Sequence, residues 1–445
     1  MLTQEQNQLL CRVEGDAPMG GIMRRHWLPV CMSEEVAERD GAPVKARLLG
    51  EDLVVFRDSE GRLGVLGEYC LHRRASLVYG RNEECGLRCL YHGWKFDVEG
   101  NVVDMPSEAP GAAQRLGKKT KAYPVHESGG FVWTWMGATE GMRNPKDGMR
   151  EGMREFRPPA WAPQPGIRYA IVKMHAECNW AQVLEGSIDS AHSSSLHSTN
   201  MPAAEVEGST ATESAWLRPS TDKAPRLLFE ATAYGFRYAA IRKPIRNPET
   251  HQYVRTTLFI APFTVLIPPN NQYNLAQMLV PIDDVNTMFY WIAWHPDPAK
   301  GITQESWRRF CAATVGEDLD QNFRKKRTLA NRYLQDREAM KRGDWTGITG
   351  IPTQDMAMWE SMGPITERSE DQFGASDLAV AQFLRMMVAA AKKFEQGAPA
   401  IGTEGWSAEP RTPDVDLASY EGVVAKSVDW RTLGIRREKE VASGS

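Results

Sequence analysis

The chain has 445 residues, 42% of them hydrophobic and 25% charged, which suits roughly two to three globular domains and does not fit collagen, coiled coil or wholesale disorder. Lys and Arg number 53 against 57 Asp and Glu, a formal net charge of -4. A near-balanced chain lacks the general attraction to phosphates of a nucleic-acid binder, and no local basic patch replaces it.

Along the chain, the segment Met1-Leu2-Thr3-Gln4-Glu5-Gln6-Asn7 has neither a basic leader nor an apolar h-region. No apolar run reaches the roughly 18 residues that a membrane span needs, so the expectation is a soluble, cytoplasmic protein. Seven scattered cysteines (Cys11, Cys31, Cys70, Cys85, Cys89, Cys178, Cys311) fit a reducing compartment better than a disulfide framework.

From Val44 to Met136, short apolar stretches alternate with turn residues: Ala46 to Leu49, Leu53 to Phe56, Leu63 to Leu66 and Phe131 to Trp135 read as strands. Ser59-Glu60-Gly61 and Val98-Glu99-Gly100-Asn101 are placed to reverse hairpins, which predicts a small antiparallel domain. Gly141 to Gly166 carries Gly-Met-Arg three times and then the stiff Arg157-Pro158-Pro159 stretch, a linker or insertion with no evident role.

Strand-like runs follow (Tyr169 to Met174, Leu227 to Ala233, Thr256 to Ile260, Met288 to Trp294), mixed with helical stretches (Gln304 to Val315, Leu319 to Lys341, Ser376 to Phe394). Val380, Phe383, Leu384, Met387, Ala391 and Phe394 fall on one helical stripe. The expected fold class is α+β, with residues 1–140 as N-terminal segment and β domain, 141–166 as linker, 167–397 as an α+β domain, and 398–445 as a tail that wraps the surface or is partly disordered.

Two constellations carry chemistry. Cys70-Leu71-His72 is followed, after sixteen residues, by Cys89-Leu90-Tyr91-His92. Each loop offers one thiol and one imidazole, whereas a zinc finger usually groups its cysteines in one pair; mixed pairs suit a 2Fe-2S cluster of the Rieske type, in which two imidazoles raise the potential. Tyr91 and Trp94 are expected to shield such a cluster, and Gly93 to permit a tight loop. The competing explanation is a structural zinc site, or four residues that never meet.

The second constellation runs from Asn179 to His197. On a continuous helix Glu185, Asp189 and His192 share a face, and His197 joins His192 on one metal if the helix breaks at Ser193-Ser194-Ser195. Two histidines and one carboxylate leave open positions on Fe(II) for O2. The candidate carboxylate is Asp355, in a helix that Pro352 can open, with Glu360 and Asp189 as alternatives.

With these residues in view, the chain resembles the oxygenase component of Rieske non-heme iron ring-hydroxylating systems, in the phthalate 4,5-dioxygenase group. The likeness runs from Leu9-Leu10-Cys11-Arg12-Val13 and Met23-Arg24-Arg25-His26-Trp27, through Cys70 to Leu77 and Cys89 to Asp97, to Glu360-Ser361-Met362-Gly363-Pro364-Ile365. It implies cluster ligands at Cys70, His72, Cys89 and His92, iron ligands at His192, His197 and Asp355, and a bridging acid at Asp189 that joins the cluster of one subunit to the iron of the next. It further implies a catalytic domain of the helix-grip type and a head-to-tail homotrimer or stacked hexamer. Electrons come from a flavin and iron-sulfur reductase using NADH, and the enzyme has a place in aromatic catabolism.

The implied reaction is cis-dihydroxylation of an aromatic carboxylate such as phthalate with O2. Arg218 and Arg255 are the candidate carboxylate-binding residues by position in the family. Within the same family, O-demethylation of a methoxylated acid or attack on a halobenzoate or isophthalate is the alternative. A non-redox ligand-binding protein with structural zinc is the alternative from another class.

Overall fold

The computed structural model describes residues 1–137, 153–159, 161, 167–297, 299–403 and 417–434. The first two Gly-Met-Arg copies, Gly152 of the third and much of the expected tail lie outside the described residues. The chain forms two compact units: one holds Met1–Cys11, Arg157–Val280 and Val285–Ser445, the other Arg12–Phe156 and Pro281–Asp284.

In the second of these, a four-stranded antiparallel sheet runs in the order Val44–Leu48, Glu51–Arg57, Leu63–Gly67, Ala122–Tyr123. A second runs Arg81–Glu83, Gly86–Arg88, Lys95–Phe96, Val102–Asp104, and in a three-stranded sheet Trp27–Met32 and Val125–Ser128 flank Phe131–Trp135. One device closes both expected hairpins. Asp58 accepts the backbone N–H groups of Glu60 and Arg62 at 3.0 and 2.8 Å, and Asp97 those of Glu99 and Asn101 at 3.0 and 2.8 Å. Each loop then turns through a left-handed glycine, Gly61 and Gly100, with φ of 85° and 80°. The core between the sheets is Val54, Phe56, Leu66, Leu77, Leu87 and Phe96, and Cys70 and Cys89 are part of it.

The other unit is α+β. Its eight-stranded antiparallel sheet is ordered Arg168–Ala176, Thr287–His295, Asn274–Pro281, Thr264–Ile267, His251–Ile260, Gly235–Arg242, Arg226–Thr232, and Tyr420–Ala425 pairs with the first part of His251–Ile260. Helix Leu378–Glu395 buries Val380, Phe383, Leu384, Met387 and Ala391. Phe383 sits edge-on to Phe259 of the sheet at 5.3 Å and to Trp180 of helix Trp180–Ile188 at 5.9 Å, which ties the three elements into one core.

Two expectations are corrected here. Leu319 to Lys341 is not a helix: Asp320 folds a turn by accepting from Asn322 and Arg324 at 2.8 and 2.9 Å, Arg332 and Tyr333 are left-handed, and only Arg337–Lys341 is α-helical. Short polar hydrogen bonds within the segment outcompete its helical propensity. The tail, in turn, is not merely surface wrapping, because Tyr420–Ala425 is a sheet strand and Trp430 is buried against Ala239, Ile241 and Val254.

Candidate metal centres and substrate cavity

Cys70 and Cys89 open two loops of the same build. In each, the residue four further on donates its N–H to the cysteine carbonyl, Arg74 to Cys70 at 2.9 Å and Gly93 to Cys89 at 3.0 Å, and that residue has positive φ. Arg74 tolerates the conformation in open space, but a Cβ on Gly93 would lie 2.5 Å from the Pro106 ring. The matched loops bring His72 and His92 together, with ring centroids 4.5 Å apart, and His72 stacks on Trp94 at 4.7 Å.

Both thiols are buried, and burial together with the neighbouring Cys89 pushes Cys70 up to about 11. His72 Nδ1 is buried without a hydrogen-bond partner among the described residues. Partial desolvation and the nearby His72 and Arg73 hold His92 below the ordinary imidazole range, favouring the neutral form that ligates metal. Paired buried thiols and imidazoles with an orphaned ring nitrogen are a donor set that suits a 2Fe-2S cluster. Trp94 shields this corner as expected, but Tyr91 is 56% exposed and lies against His92 at its outer side.

In the other unit, helix Trp180–Ile188 begins at Asn179, whose side chain caps Ala181 N–H, and it ends before Asp189. The break therefore comes earlier than the serine run: Asp189 is extended, accepts the N–H groups of Ala191 and His192 at 2.7 and 3.1 Å, and starts a 3-10 turn at His192–Ser194. This bend swings His192 and His197 to a ring separation of 5.1 Å. Helix Ile351–Ser361 starts after Gly350 with Pro352 in its first turn and delivers Asp355.

Asp355 Oδ1 lies 3.0 Å from His197 Nε2 and 3.6 Å from His192 Nε2, and ligand atoms of the three residues lie within 4.8 Å of one another. Asp189 Oδ2 stands 3.3 Å from His192 Nδ1. Burial opposes a charged His192, but Asp189 outweighs it and raises the pKa; burial likewise opposes the charge on Asp189, which His192 nevertheless holds below the usual carboxylate range. Two Nε2 atoms and a carboxylate oxygen facing one point suit a mononuclear Fe(II). Glu360 is engaged elsewhere, with Lys325 Nζ at 2.7 Å, Tyr333 Oη and the N–H of Glu177, and does not join the histidines.

A cavity opens beside these three residues, walled by Trp216, Trp291, Trp359, Ile267 and Pro268, with Gln277, Thr257 and Arg255 as its polar corner. Arg255 faces Glu421 across the strand pair, with Nε and Oε2 3.4 Å apart, and its Nη1 donates to Ser193 Oγ at 3.3 Å. At 3.4 Å from Glu421 the buried Nε makes no hydrogen bond among the described residues. Arg218 is more fully engaged, donating to Met201 O, Ser193 Oγ and Ser193 O, and it does not line the cavity.

The sequence reasoning missed Arg242, which donates to Ser190 O at 2.7 Å, and Glu421. An arginine ending the apolar run Tyr238-Ala239-Ala240-Ile241 was a signal for the first; nothing local marks the second. Register explains the cluster: Arg242 is opposite Tyr253, two residues from Arg255, and Arg255 is opposite the small Ala240. Burial and its arginine neighbours lower Arg218 to about 10 and also lower Arg242, whereas Glu421 overcomes burial and raises Arg255.

A thiol-imidazole pocket in one unit and a two-histidine, one-carboxylate site in the other define an oxygenase that carries a Rieske 2Fe-2S cluster and a mononuclear iron. Residues 26–124 match the Rieske [2Fe-2S] domain, and residues 147–444 match the family described as LigXa C-terminal domain like. The chain belongs to the Rieske oxygenases, as an oxygenase component of the phthalate 4,5-dioxygenase group. It is 57% identical over 438 residues to the phthalate 4,5-dioxygenase oxygenase subunit of Pseudomonas putida, covering 98% of this chain and 95% of that one. It is 34% identical to the 3-chlorobenzoate-3,4-dioxygenase oxygenase subunit of Comamonas testosteroni, over 97% and 98% of the two chains.

Among solved structures, dicamba monooxygenase bound to dicamba superposes with a TM-score of 0.53 at 16% identity, over 84% of this chain and 99% of that one. The terminal oxygenase of carbazole 1,9a-dioxygenase from Novosphingobium sp. KA1 gives 0.53 at 18%, over 86% and 96%. At such identities these show the shared fold. The zinc-binding, non-redox alternative is set aside by the Rieske match. An oxygenase component draws on an electron-transfer partner, O2 and an aromatic substrate. Among the described residues no helix is long and apolar enough to cross a membrane.

Proposed function

We propose that this protein dihydroxylates a phthalate-type aromatic dicarboxylate, and that Arg255, with Arg218 behind it, receives the ring carboxylates. The observation that carries this is the buried Arg255 guanidinium at the polar corner of an aromatic-walled cavity beside His192, His197 and Asp355. Three buried guanidinium groups (Arg218, Arg242, Arg255) meet one contacting carboxylate, Glu421, so the corner carries excess positive charge that a dianion offsets. Identity to the phthalate enzyme over nearly the whole chain supports the same substrate class.

In this proposal Cys70, Cys89, His72 and His92 hold the cluster, and His192, His197 and Asp355 hold the iron. When bound, the cluster delivers electrons and the iron activates O2. The tryptophan walls exclude water and orient the ring, and Asp189 fixes the His192 ring through Nδ1.

The electron donor is proposed to be a flavin and iron-sulfur reductase using NADH, and the assembly a head-to-tail trimer in which Asp189 meets His92 of the next copy. Exposed Leu71, Leu90 and Tyr91 around the cluster loops, and exposed Trp345, Met358 and Met362 around a second cavity that reaches Asp189 and His192, supply apolar faces for that contact. No disulfide joins any of the seven cysteines, in keeping with a cytoplasmic setting.

The test is a single turnover. Protein loaded with Fe(II) is chemically reduced and mixed with isotopically labelled O2 and phthalate, and the product is analysed by mass spectrometry. A diol carrying both labelled atoms supports the proposal. Cluster reoxidation without a phthalate product rejects phthalate and redirects the search to halobenzoates, isophthalate or methoxylated acids, the last recognised by released formaldehyde.

A further inference from the structure

Gln354, which precedes Asp355 in the first turn of helix Ile351–Ser361, is 2% exposed. Its amide Nε2 donates to the carbonyl of Ile348 at 2.8 Å and to Asn200 Oδ1 at 3.0 Å. A backbone carbonyl can only accept, so the amide orientation is fixed by its surroundings and Oε1 must be the atom turned the other way. That oxygen lies 2.7 Å from His197 Nδ1. An amide oxygen can only accept, so Nδ1 carries the proton and Nε2 of His197 carries the lone pair.

Nε2 is also the nitrogen that lies 3.0 Å from Asp355 Oδ1. Two successive residues of one helical turn therefore address the two nitrogens of a single imidazole, with a hydrogen-bond acceptor on one and the carboxylate on the other. We infer that Gln354 is a positioning residue: it sets the tautomer and ring plane of His197 so that the Nε2 lone pair is presented to the metal. The inference rests on the proposed role of His197 as an iron ligand. Alternatively, Gln354 could serve only to tie Ile348 and Asn200 together, a bracing role that its two amide donors would fill without any effect on the ring.

Gln354→Met keeps the bulk and removes the acceptor together with both amide donors, whereas Asn200→Ala takes away one braced partner and leaves the acceptor in place. Positioning leaves metal release in Asn200→Ala as in the unmodified protein, and bracing alone quickens it. In the full-length protein with its cluster in place, Fe(II) release to a chelator is expected to be about 10-fold to 100-fold faster in Gln354→Met than in the unmodified protein. A spectroscopic signature reads the protonated nitrogen of His197 directly. With Co(II) at the mononuclear site, the His197 Nδ1–H should give a hyperfine-shifted, slowly exchanging proton resonance, and in Gln354→Met this resonance should be lost to fast exchange. Unchanged metal release together with an unchanged shifted proton overturns the inference. His197→Ala tells the two possible failures apart. If it retains the metal, the ligand assignment itself is wrong; if it loses the metal while Gln354→Met behaves as unmodified protein, only the role of Gln354 is wrong.

Discussion

Glu421 and Arg255 are directly opposite one another on paired strands, and their side chains form an ion pair at 3.4 Å with only 2% and 8% of each exposed. The strand that carries Glu421 is the last described strand, so the polar corner of the cavity is completed by a segment far from Arg255 in sequence. Glu421→Ala would leave Arg255 buried beside Arg218 and Arg242 with no compensating carboxylate. A loss of about 3–5 kcal/mol in unfolding free energy is expected. Urea denaturation of the purified protein measures it, and a change below about 1 kcal/mol would mean that the pair is screened by solvent after all.

The two candidate arginines are not equivalent. Arg218 spends three nitrogens on Met201 and Ser193 and does not line the cavity, whereas Arg255 spends Nη1 on Ser193 and does line it. Hydrogen bonds to charged groups contribute about 1.5–3 kcal/mol, so Arg255→Ala should weaken phthalate binding by roughly 10-fold to 100-fold. Arg218→Ala should weaken it less, through disorder of Ser193 and Arg255. Calorimetric titration of both variants checks the order, and unchanged affinity in Arg255→Ala would remove it from the substrate site.

Asp355 and Glu360 share one helix and have opposite fates. Asp355→Ala should lose the mononuclear iron while the cluster spectrum and the stability persist. Lys325→Met leaves Glu360 as a buried acid without its cation, since the pair is 3% and 1% exposed, and should cost about 3–5 kcal/mol with iron content intact. Metal analysis beside thermal unfolding separates the two. Iron loss in Lys325→Met, with full iron in Asp355→Ala, would reverse the assignment.

Asp189 touches His192 through Nδ1 and through its backbone N–H, at 3.3 and 3.1 Å. Asp189→Asn preserves shape and one of the two backbone bonds, since its single amide oxygen can replace only one of the carboxylate oxygens that accept from Ala191 and His192, and both metals should remain. Turnover should fall by about 10-fold to 100-fold, because the charge that orients the imidazole is gone. Steady-state assays with metal content measured on the same sample test this, and full activity would end the proposed bridging role.

The sequence determined what local spacing can express. Short apolar runs marked the strands Leu63–Gly67, Phe131–Trp135 and Arg168–Ala176, a stripe of six residues marked helix Leu378–Glu395, and the two Cys-x-His-type loops announced a cluster domain by themselves. Hydrogen bonds between side chains and backbone are local as well, which is why Asp58 and Asp97 closed their loops where the glycines suggested.

Tertiary structure decided which distant groups meet. Lys325 claims Glu360 and so leaves Asp355 to face the histidines; Glu421 arrives beside Arg255 on a strand paired far from its place in the sequence; Gln354 reaches His197 across a core contact. Even the Leu319 to Lys341 segment follows this division, since its helical propensity is overridden by bonds to its own turn and to partners such as Glu360 and Glu177. Periodicity reports which face of an element is buried; the identity of the residue on the opposing face depends on strand register and helix packing, which only the folded chain fixes.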